Sequence, residues 1–454
     1  MERTLIKSSF VIPSFHEPKV IRDGAIILEE DLIKWVGQAS DLPNGSFDHT
    51  IDAKGQLAVP GFVNGHTHIF HTFGRTLGAD RTFESWVKDI EHKMLKEMTP
   101  DDLQITYKLA CIEMIRSGIT TAVDNREMHN SYEAIDKDAE TISKVGLRCI
   151  VARGIRERTP RMEKMKIAEW VTPYSLKENL NITEQLIRKW NSPSDSMVKI
   201  WPAPVALSNI TREGLLRVKE LSDKFGTGIH SHVAETWIDQ VNSVEDFGCR
   251  EVELLHELDI LGPLMNIVHG VWLTRREIKL IAESNSSVIH CPISNSYVAE
   301  GIAEVAAMLR YGINVGIGTD GDLCNDVSDI FEVTKTAALI QKAATLDPMA
   351  VTTLDALRMG TSNGATAIGM QENVGTLQAG KKADVVLIDL KKAHLTPMYN
   401  IFNLLVYCVR GSDVNTVFVN GNPVLLNGKI TTIDENEVIE EMNRRTSEIK
   451  VSGA

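Results

Sequence analysis

The stretch LAVPGFVNGHTH runs from Leu57 to His68. Its first half is apolar with no polar alternation, which suits a strand buried on both faces of a parallel sheet. Its second half turns abruptly polar. Side chains at i and i+2 of an extended chain point to the same face. Leu57–Val63 is therefore expected to be a buried strand that presents the imidazoles of His66 and His68 side by side at its end. Two such imidazoles chelate one cation. For a lone His-x-His, the alternative is an ordinary polar strand end.

Outward from this stretch the chain repeats one unit. A helical segment ends in glycine and a short apolar run follows: Gly118 then Ile119–Val123, Gly146 then Leu147–Ala152, Gly226 then Thr227–His232, Gly312 then Ile313–Thr319. Glycine stops a helix by taking the left-handed conformation just past its last turn. Val198–Pro202, Asn266–His269 and Ser287–Cys291 complete a set of eight candidate strands. Eight strands alternating with helices predict an α/β fold, a (β/α)8 TIM barrel, with a doubly wound open sheet as the other arrangement. The chain ends read differently. Thr4–Ile12, Gly24–Val36, Ala383–Leu390, Thr416–Val419 and Pro423–Leu426 are short β runs, and a helix is expected near Glu435–Lys450. Asn420-Gly421 is a hairpin-turn dipeptide.

The strand ends carry the chemistry. The chain has 13 histidines in 454 residues. His66, His68, His230, His232 and His269 all stand at these strand ends. In a barrel, the C-terminal strand ends converge on one mouth where ligands bind. Neutral His66, His68 and His232 with the Asp320 carboxylate form a suitable shell for a catalytic divalent metal with an open position for water. His230 shares the face of His232 and is either a buried, hydrogen-bonded histidine one layer down or a substrate contact.

Composition narrows the partners. Hydrophobic residues make up 43% and charged residues 24%, as in an ordinary globular protein. With 48 Lys+Arg against 61 Asp+Glu the net charge is -13, which disfavours nucleic acid and anionic lipid. The cysteines Cys111, Cys149, Cys249, Cys291, Cys324 and Cys408 form no CxxC pair, so a reduced interior is expected. MERTLIKSSF lacks the shape of a signal peptide, and no apolar run approaches the roughly 18 residues of a transmembrane helix. A cytoplasmic location with no membrane partner is expected.

Several segments together resemble one family. They are PGFVNGHTH (Pro60–His68), HSHVAET (His230–Thr236), VHG (Val268–Gly270), HCPISNS (His290–Ser296) and GTDG (Gly318–Gly321), with the tail segments GTLQAGKKADVVLIDL (Gly375–Leu390) and VFVNGNPV (Val417–Val424). On these, the whole chain resembles the amidohydrolase superfamily. It is most similar to the branch of N-heterocycle aminohydrolases and chlorohydrolases. That branch includes s-triazine hydrolases, guanine and 8-oxoguanine deaminases, and methylthioadenosine/S-adenosylhomocysteine deaminases. KIWPAP (Lys199–Pro204) and ISNSYVAEGIAEV (Ile293–Val305) look closest to the s-triazine hydrolases.

The resemblance implies a mononuclear metal site with ligands His66, His68, His232 and Asp320. Zinc is the usual ion, and iron occurs in some relatives. It implies Glu235 as the proton-transfer residue and His269 as the contact to water or substrate, with His290 close by. It further implies a homo-oligomer, and a barrel over residues 57–374 inserted into a small β-sandwich domain built from residues 1–56 and 375–454. The implied reaction is hydrolytic deamination of a small heterocycle. Glu235 and Asp320 accept the proton of a metal-activated water, His269 orients that water, and Glu235 protonates the ring nitrogen beside the carbon that loses ammonia.

The pocket lining bears on the substrate. His71 stands where several relatives carry a glutamine that touches the heterocycle. Phe83 and Trp86 are placed to stack on a flat ring. Asn295 is a candidate hydrogen-bonding residue, and Cys324 a pocket wall rather than a nucleophile. Nucleoside-acting relatives carry a glutamate nine residues after the tryptophan of this loop, where this chain has Leu95. Dechlorinating relatives carry Asn and Ser where this chain has Gly321 and Cys324. A free aminated triazine, purine, pterin or pyrimidine is therefore the expected substrate. The alternatives are chlorohydrolysis or ring-opening cyclic amide hydrolysis at the same site, a methylthioadenosine/S-adenosylhomocysteine-type nucleoside deaminase, and a non-catalytic scaffold. The intact ligand set and Glu235 argue against the scaffold.

Overall fold

A computed structural model describes residues 2–192 and 195–448. In chain order its strands are Arg3–Val11 (β1), Ile21–Glu29 (β2), Leu32–Gln38 (β3), His49–Pro60 (β4), Phe62–Thr67 (β5), Ile119–Arg126 (β6), Arg148–Ile155 (β7) and Val198–Pro204 (β8). Ile229–Val233 (β9), Met265–His269 (β10), Ser287–His290 (β11), Asn314–Ile317 (β12), Val385–Asp389 (β13), Val414–Val419 (β14), Asn422–Leu426 (β15) and Lys429–Ile430 (β16) follow.

The middle of the chain forms two parallel four-stranded sheets, ordered β5-β6-β7-β8 and β9-β10-β11-β12. Every residue of β5, β6, β7, β9, β10 and β11 is buried, as expected for strands covered on both faces. The sheets meet at two seams. At one, the amide of His232 donates to Val205 O at 3.3 Å; at the other, the amide of Asp320 donates to His66 O at 3.0 Å. The helix-stopping glycines behave as expected: Gly118, Gly146, Gly226 and Gly312 have φ of 86°, 91°, 63° and 78°.

Strands from both chain ends join in one mixed eight-stranded sheet, ordered β16-β15-β14-β13-β4-β1-β2-β3. The expected strand Leu57–Val63 is in fact two. Leu57–Pro60 pairs with β13 in the eight-stranded sheet, and Phe62 begins the parallel sheet. Gly61 is the crossing point. Its amide donates to Asp384 O, that of Phe62 donates to Gly118 O, and a β-carbon on Gly61 would lie 2.1 Å from Thr120 Oγ1. The buried Arg148–Asp384 ion pair ties β7 to the residue before β13. The terminal helix spans Glu435–Glu448, and the expected continuation through Lys450 lies outside the described residues. No helix among the described residues is long and apolar enough to cross a membrane.

Candidate active site

Asn64 and Thr319 bring the first and last strands of the middle region into register. Asn64 Nδ2 donates to Thr319 Oγ1 at 2.8 Å, and the Thr319 amide donates back to Asn64 Oδ1 at 2.9 Å. This places His66 and His68 against Asp320, which sits in the left-handed region at φ 61°. His66 Nε2 and His68 Nε2 each lie 3.5 Å from Asp320 Oδ1. His232 reaches the same point from β9, its Nε2 3.3 Å from His68 Nε2.

The tautomers follow from the backbone. His68 Nδ1 donates to Asn125 O at 2.8 Å, and His232 Nδ1 donates to Val205 O at 2.6 Å. A carbonyl only accepts, so both protons sit on Nδ1 and two bare Nε2 lone pairs face each other. That contact is repulsive unless a cation lies between them. Tetrahedral ligands at about 2.0–2.2 Å from a metal stand about 3.4 Å apart, close to the separations found here. His66 Nε2 is likewise buried with no hydrogen-bond partner. Burial lowers the His66 pKa to about 4 and lowers that of His232, keeping both in the neutral, ligating form. Burial alone would raise the Asp320 pKa, but the histidines around it, His66 foremost, outweigh that and hold it well below the usual carboxylate range. These residues fit a divalent cation.

His230 is the hydrogen-bonded histidine one layer down. Its Nε2 lies 2.9 Å from His66 Nδ1, behind the face of His66 that looks to Asp320. His269 closes the opposite side, with Nε2 3.4 Å from Glu235 Oε1 and 3.9 Å from Asp320 Oδ2. Glu235 sits between β9 and the helix Trp237–Phe247, which opens on a Thr236–Asp239 capping box. Burial, followed by repulsion from Glu300 and Asp239, raises the Glu235 pKa well above its usual value.

The residues expected to touch substrate have these surroundings. His71 is buried beside His68, and its Nε2 lies 2.9 Å from Glu91 Oε1. Gly321 packs so closely that a β-carbon there would lie 2.0 Å from His71 Nδ1. Trp86 meets the His71 ring edge-on, anchors its Nε1 on Leu323 O at 3.0 Å, and stacks with half-buried Phe83. Asn295 has other partners: its Nδ2 contacts His269 Nδ1 at 2.9 Å and Glu300 Oε2 at 2.6 Å. Cys324 is buried, its thiol contacts Gly321 O at 3.2 Å, and burial keeps it protonated. His290 is buried at the end of β11, and both its ring nitrogens lack partners.

Sequence reasoning missed three carboxylates. Glu91 holds His71. Glu300 contacts Asn295. Glu127, just past the end of β6, places Oε1 3.6 Å from His68 Nε2 and 3.7 Å from His232 Nε2, while Oε2 pairs with Arg156. Burial would raise the Glu127 pKa, but Arg156 and then His68 and His232 outweigh that and hold it at about 2. Its signal was available: it stands at a strand end, as His66, His68 and His232 do.

Comparison with known proteins covers the same ground. A profile of the Amidohydrolase family matches residues 57–424. A 5-methylthioadenosine/S-adenosylhomocysteine deaminase of Moorella thermoacetica is 35% identical over 446 residues, 98% of this chain and 99% of that protein. A 5'-deoxyadenosine deaminase of Methanosarcina barkeri is 34% identical over 449 residues, 99% of each chain. Among solved structures, a Xanthomonas campestris adenosine deaminase with bound zinc superimposes with a TM-score of 0.90 at 27% identity, covering 98% of this chain and 99% of that one. Atrazine chlorohydrolase from Arthrobacter aurescens TC1 complexed with zinc superimposes with a TM-score of 0.91 at 22% identity, over 98% of this chain and 100% of that one. With the strand-end cluster and a match over most of its length, the chain belongs to the amidohydrolase family.

Proposed function

We propose that this protein is a hydrolytic deaminase of an aminated purine in a nucleoside-type substrate. One divalent ion, zinc, would be held by His66, His68, His232 and Asp320. The observation that carries the reading is the pair of bare Nε2 atoms of His68 and His232, 3.3 Å apart beside the Asp320 carboxylate. Relatives named as nucleoside deaminases at 34–35% identity favour a nucleoside over a free triazine. Zinc in the two superimposed structures favours that ion.

A cation in this position acidifies water, lowering its pKa from 15.7 to about 7. The residues of the chain do the rest. Asp320, ionised, takes a proton from the attacking water. His269 orients that water from the side opposite His68. Glu235, whose carboxyl burial pushes above its ordinary value, gives a proton to the ring nitrogen beside the amino-bearing carbon. The carbon becomes tetrahedral, bearing both hydroxyl and amino groups. The proton held on Asp320 passes to the amino group, which leaves as ammonia. As the carbon regains its oxo form, the hydroxyl proton returns to Glu235.

A free heterocycle is the second reading, favoured by Leu95. It is fully buried where nucleoside-acting relatives carry an acid, so no carboxylate is offered to a ribose from that position. Ammonia release from zinc-loaded protein separates the two. The panel is 5'-deoxyadenosine, methylthioadenosine, S-adenosylhomocysteine and adenosine beside free aminated purines, pterins, pyrimidines and triazines. Turnover confined to the free rings selects the second reading, and no ammonia from any of them defeats both.

The same proposal extends to architecture and assembly. The two parallel sheets are read as halves of one closed (β/α)8 barrel over residues 57–374, supported by the hydrogen bonds at both seams. Residues 1–56 and 375–454 are read as its companion domain. The protein is read as a cytoplasmic homo-oligomer, with exposed Leu346 and Tyr399 as apolar side chains that subunit contact would cover.

A further inference from the structure

Glu300 is buried at the edge of the site on a loop that is held firmly. The loop joins the helices Pro292–Tyr297 and Val305–Arg310. Left-handed residues flank Glu300 on both sides, Ala299 at φ 57° and Gly301 at φ 126°. Its amide donates to Asn295 O at 2.9 Å, and its carbonyl accepts from Trp272 Nε1 at 2.8 Å. With both backbone groups anchored, the side chain is directed inward, where only 6% of the residue is exposed. Its carboxylate, that of Glu235 and a His269 ring nitrogen lie within 4.8 Å of one another.

The hydrogen bonds of Asn295 are decisive. A carboxylate oxygen accepts, so Glu300 Oε2, 2.6 Å away, draws the amide NH2 rather than the amide oxygen toward it. The same nitrogen is 2.9 Å from His269 Nδ1, and its second hydrogen points there. His269 Nδ1 must then be the bare nitrogen, and the ring proton sits on Nε2, facing Glu235 Oε1 and Asp320 Oδ2. An imidazole in the other tautomer has no proton to donate on that side.

We propose that Glu300 is a positioning residue: through Asn295 it holds His269 in the Nε2–H tautomer, aimed at the space between Glu235 and Asp320 where water is to be oriented. The catalytic consequence rests on the deaminase reading; the tautomer itself does not. Burial pushes the Glu300 carboxyl up to about 8, against the hydrogen bonds to Glu235 and Asn295 that would lower it. A carboxyl group keeps an oxygen able to accept whether or not it carries a proton, so Glu300 can hold the Asn295 NH2 in either state.

The test compares Glu300→Ala and Glu300→Gln with wild type in zinc-loaded protein. Nitrogen-15 NMR of histidine-labelled samples reads the tautomer, with His269 assigned by its loss in His269→Asn. Wild type should show the Nε2–H form. Glu300→Gln keeps an acceptor oxygen and should keep the tautomer, with kcat within about tenfold of wild type. Glu300→Ala should move His269 toward Nδ1–H and lower kcat about 10²–10³-fold, with KM changed less than about threefold. Should the alanine variant not fold, Glu300→Leu, similar in size and without an acceptor, takes its place. A wild-type Nδ1–H signal, or an unchanged tautomer in the variant lacking the acceptor, overturns the proposal. So does a change confined to KM, which would make Glu300 a substrate contact. Inactive wild type would defeat the deaminase reading alone, because the NMR signature still decides the role of Glu300.

Discussion

His68 Nε2 and His232 Nε2 stand 3.3 Å apart, each carrying its ring proton on the far nitrogen, where a backbone carbonyl accepts it. Two lone pairs meet where only a cation makes the contact favourable. Chelator-treated protein is therefore expected to take up one divalent ion per chain and to gain thermal stability on zinc addition. Binding at a thousand times Kd corresponds to about 4 kcal/mol. His68→Ala and His232→Ala should each abolish uptake, measured by metal analysis and calorimetry. Stripped wild type that binds no zinc and melts unchanged would mean the cluster is a structural histidine core.

Glu235 should be dispensable for the metal and indispensable for turnover. Glu235→Gln is expected to keep stoichiometric zinc while kcat falls about 10²–10⁴-fold, the usual worth of a general acid–base group. Steady-state ammonia release with parallel metal analysis checks this. A variant that loses zinc along with activity would make Glu235 a ligand instead.

The Asn64–Thr319 clamp is expected to hold the ligands at their spacing. Asn64→Ala leaves the buried Thr319 amide without an acceptor, which costs about 1–3 kcal/mol in urea unfolding of the metal-free protein. Zinc affinity should fall about 10–100-fold, as when a group supporting metal ligands is removed. Unaltered affinity would show that the strands keep their register without the clamp.

His290 gives a pH signature. Burial alone lowers its pKa to about 4, and neither ring nitrogen has a partner. The unfolded chain binds the proton near the ordinary value of about 6.5, so between those two values the unfolded state holds more protons and stability falls as pH falls. The loss from this one group between pH 7 and pH 5 is about 2 kcal/mol. His290→Leu should remove that share of the acid sensitivity whatever it does to stability at pH 7. Denaturant titrations of the metal-free proteins at both pH values measure it, and an identical pH dependence in the variant would contradict the assignment.

The legible parts of this chain were those governed by local rules. A strand buried on both faces shows no regular polar alternation, so short apolar runs such as Ala122–Val123 in β6, Cys149–Ala152 in β7 and Ile267–Val268 in β10 mark these strands, although polar residues interrupt each of them. A glycine that stops a helix must reach φ > 0, so Gly118, Gly146, Gly226 and Gly312 marked where strands begin. The i, i+2 rule placed His66 and His68 on one face before any partner was known. The break at Gly61 was hidden for the same reason. Leu57–Val63 is one apolar run, and only the change of partner, from Asp384 O to Gly118 O, divides it.

What the sequence determined by itself was the order of buried strands, the strand-end positions of His66, His68, His232, His269 and Asp320, and the acidic balance of charge. What only the tertiary structure decided was the company those residues keep. Glu127, Glu91 and Glu300 gain their partners only when the fold packs Arg156, His71 and Asn295 against them. The tautomers of His68 and His232 rest on the carbonyls of Asn125, on β6, and Val205, just past β8. Periodicity and helix stops are properties of a few adjacent residues. Burial of a charge and the placement of a ring proton depend on which atoms the whole fold brings within hydrogen-bond reach.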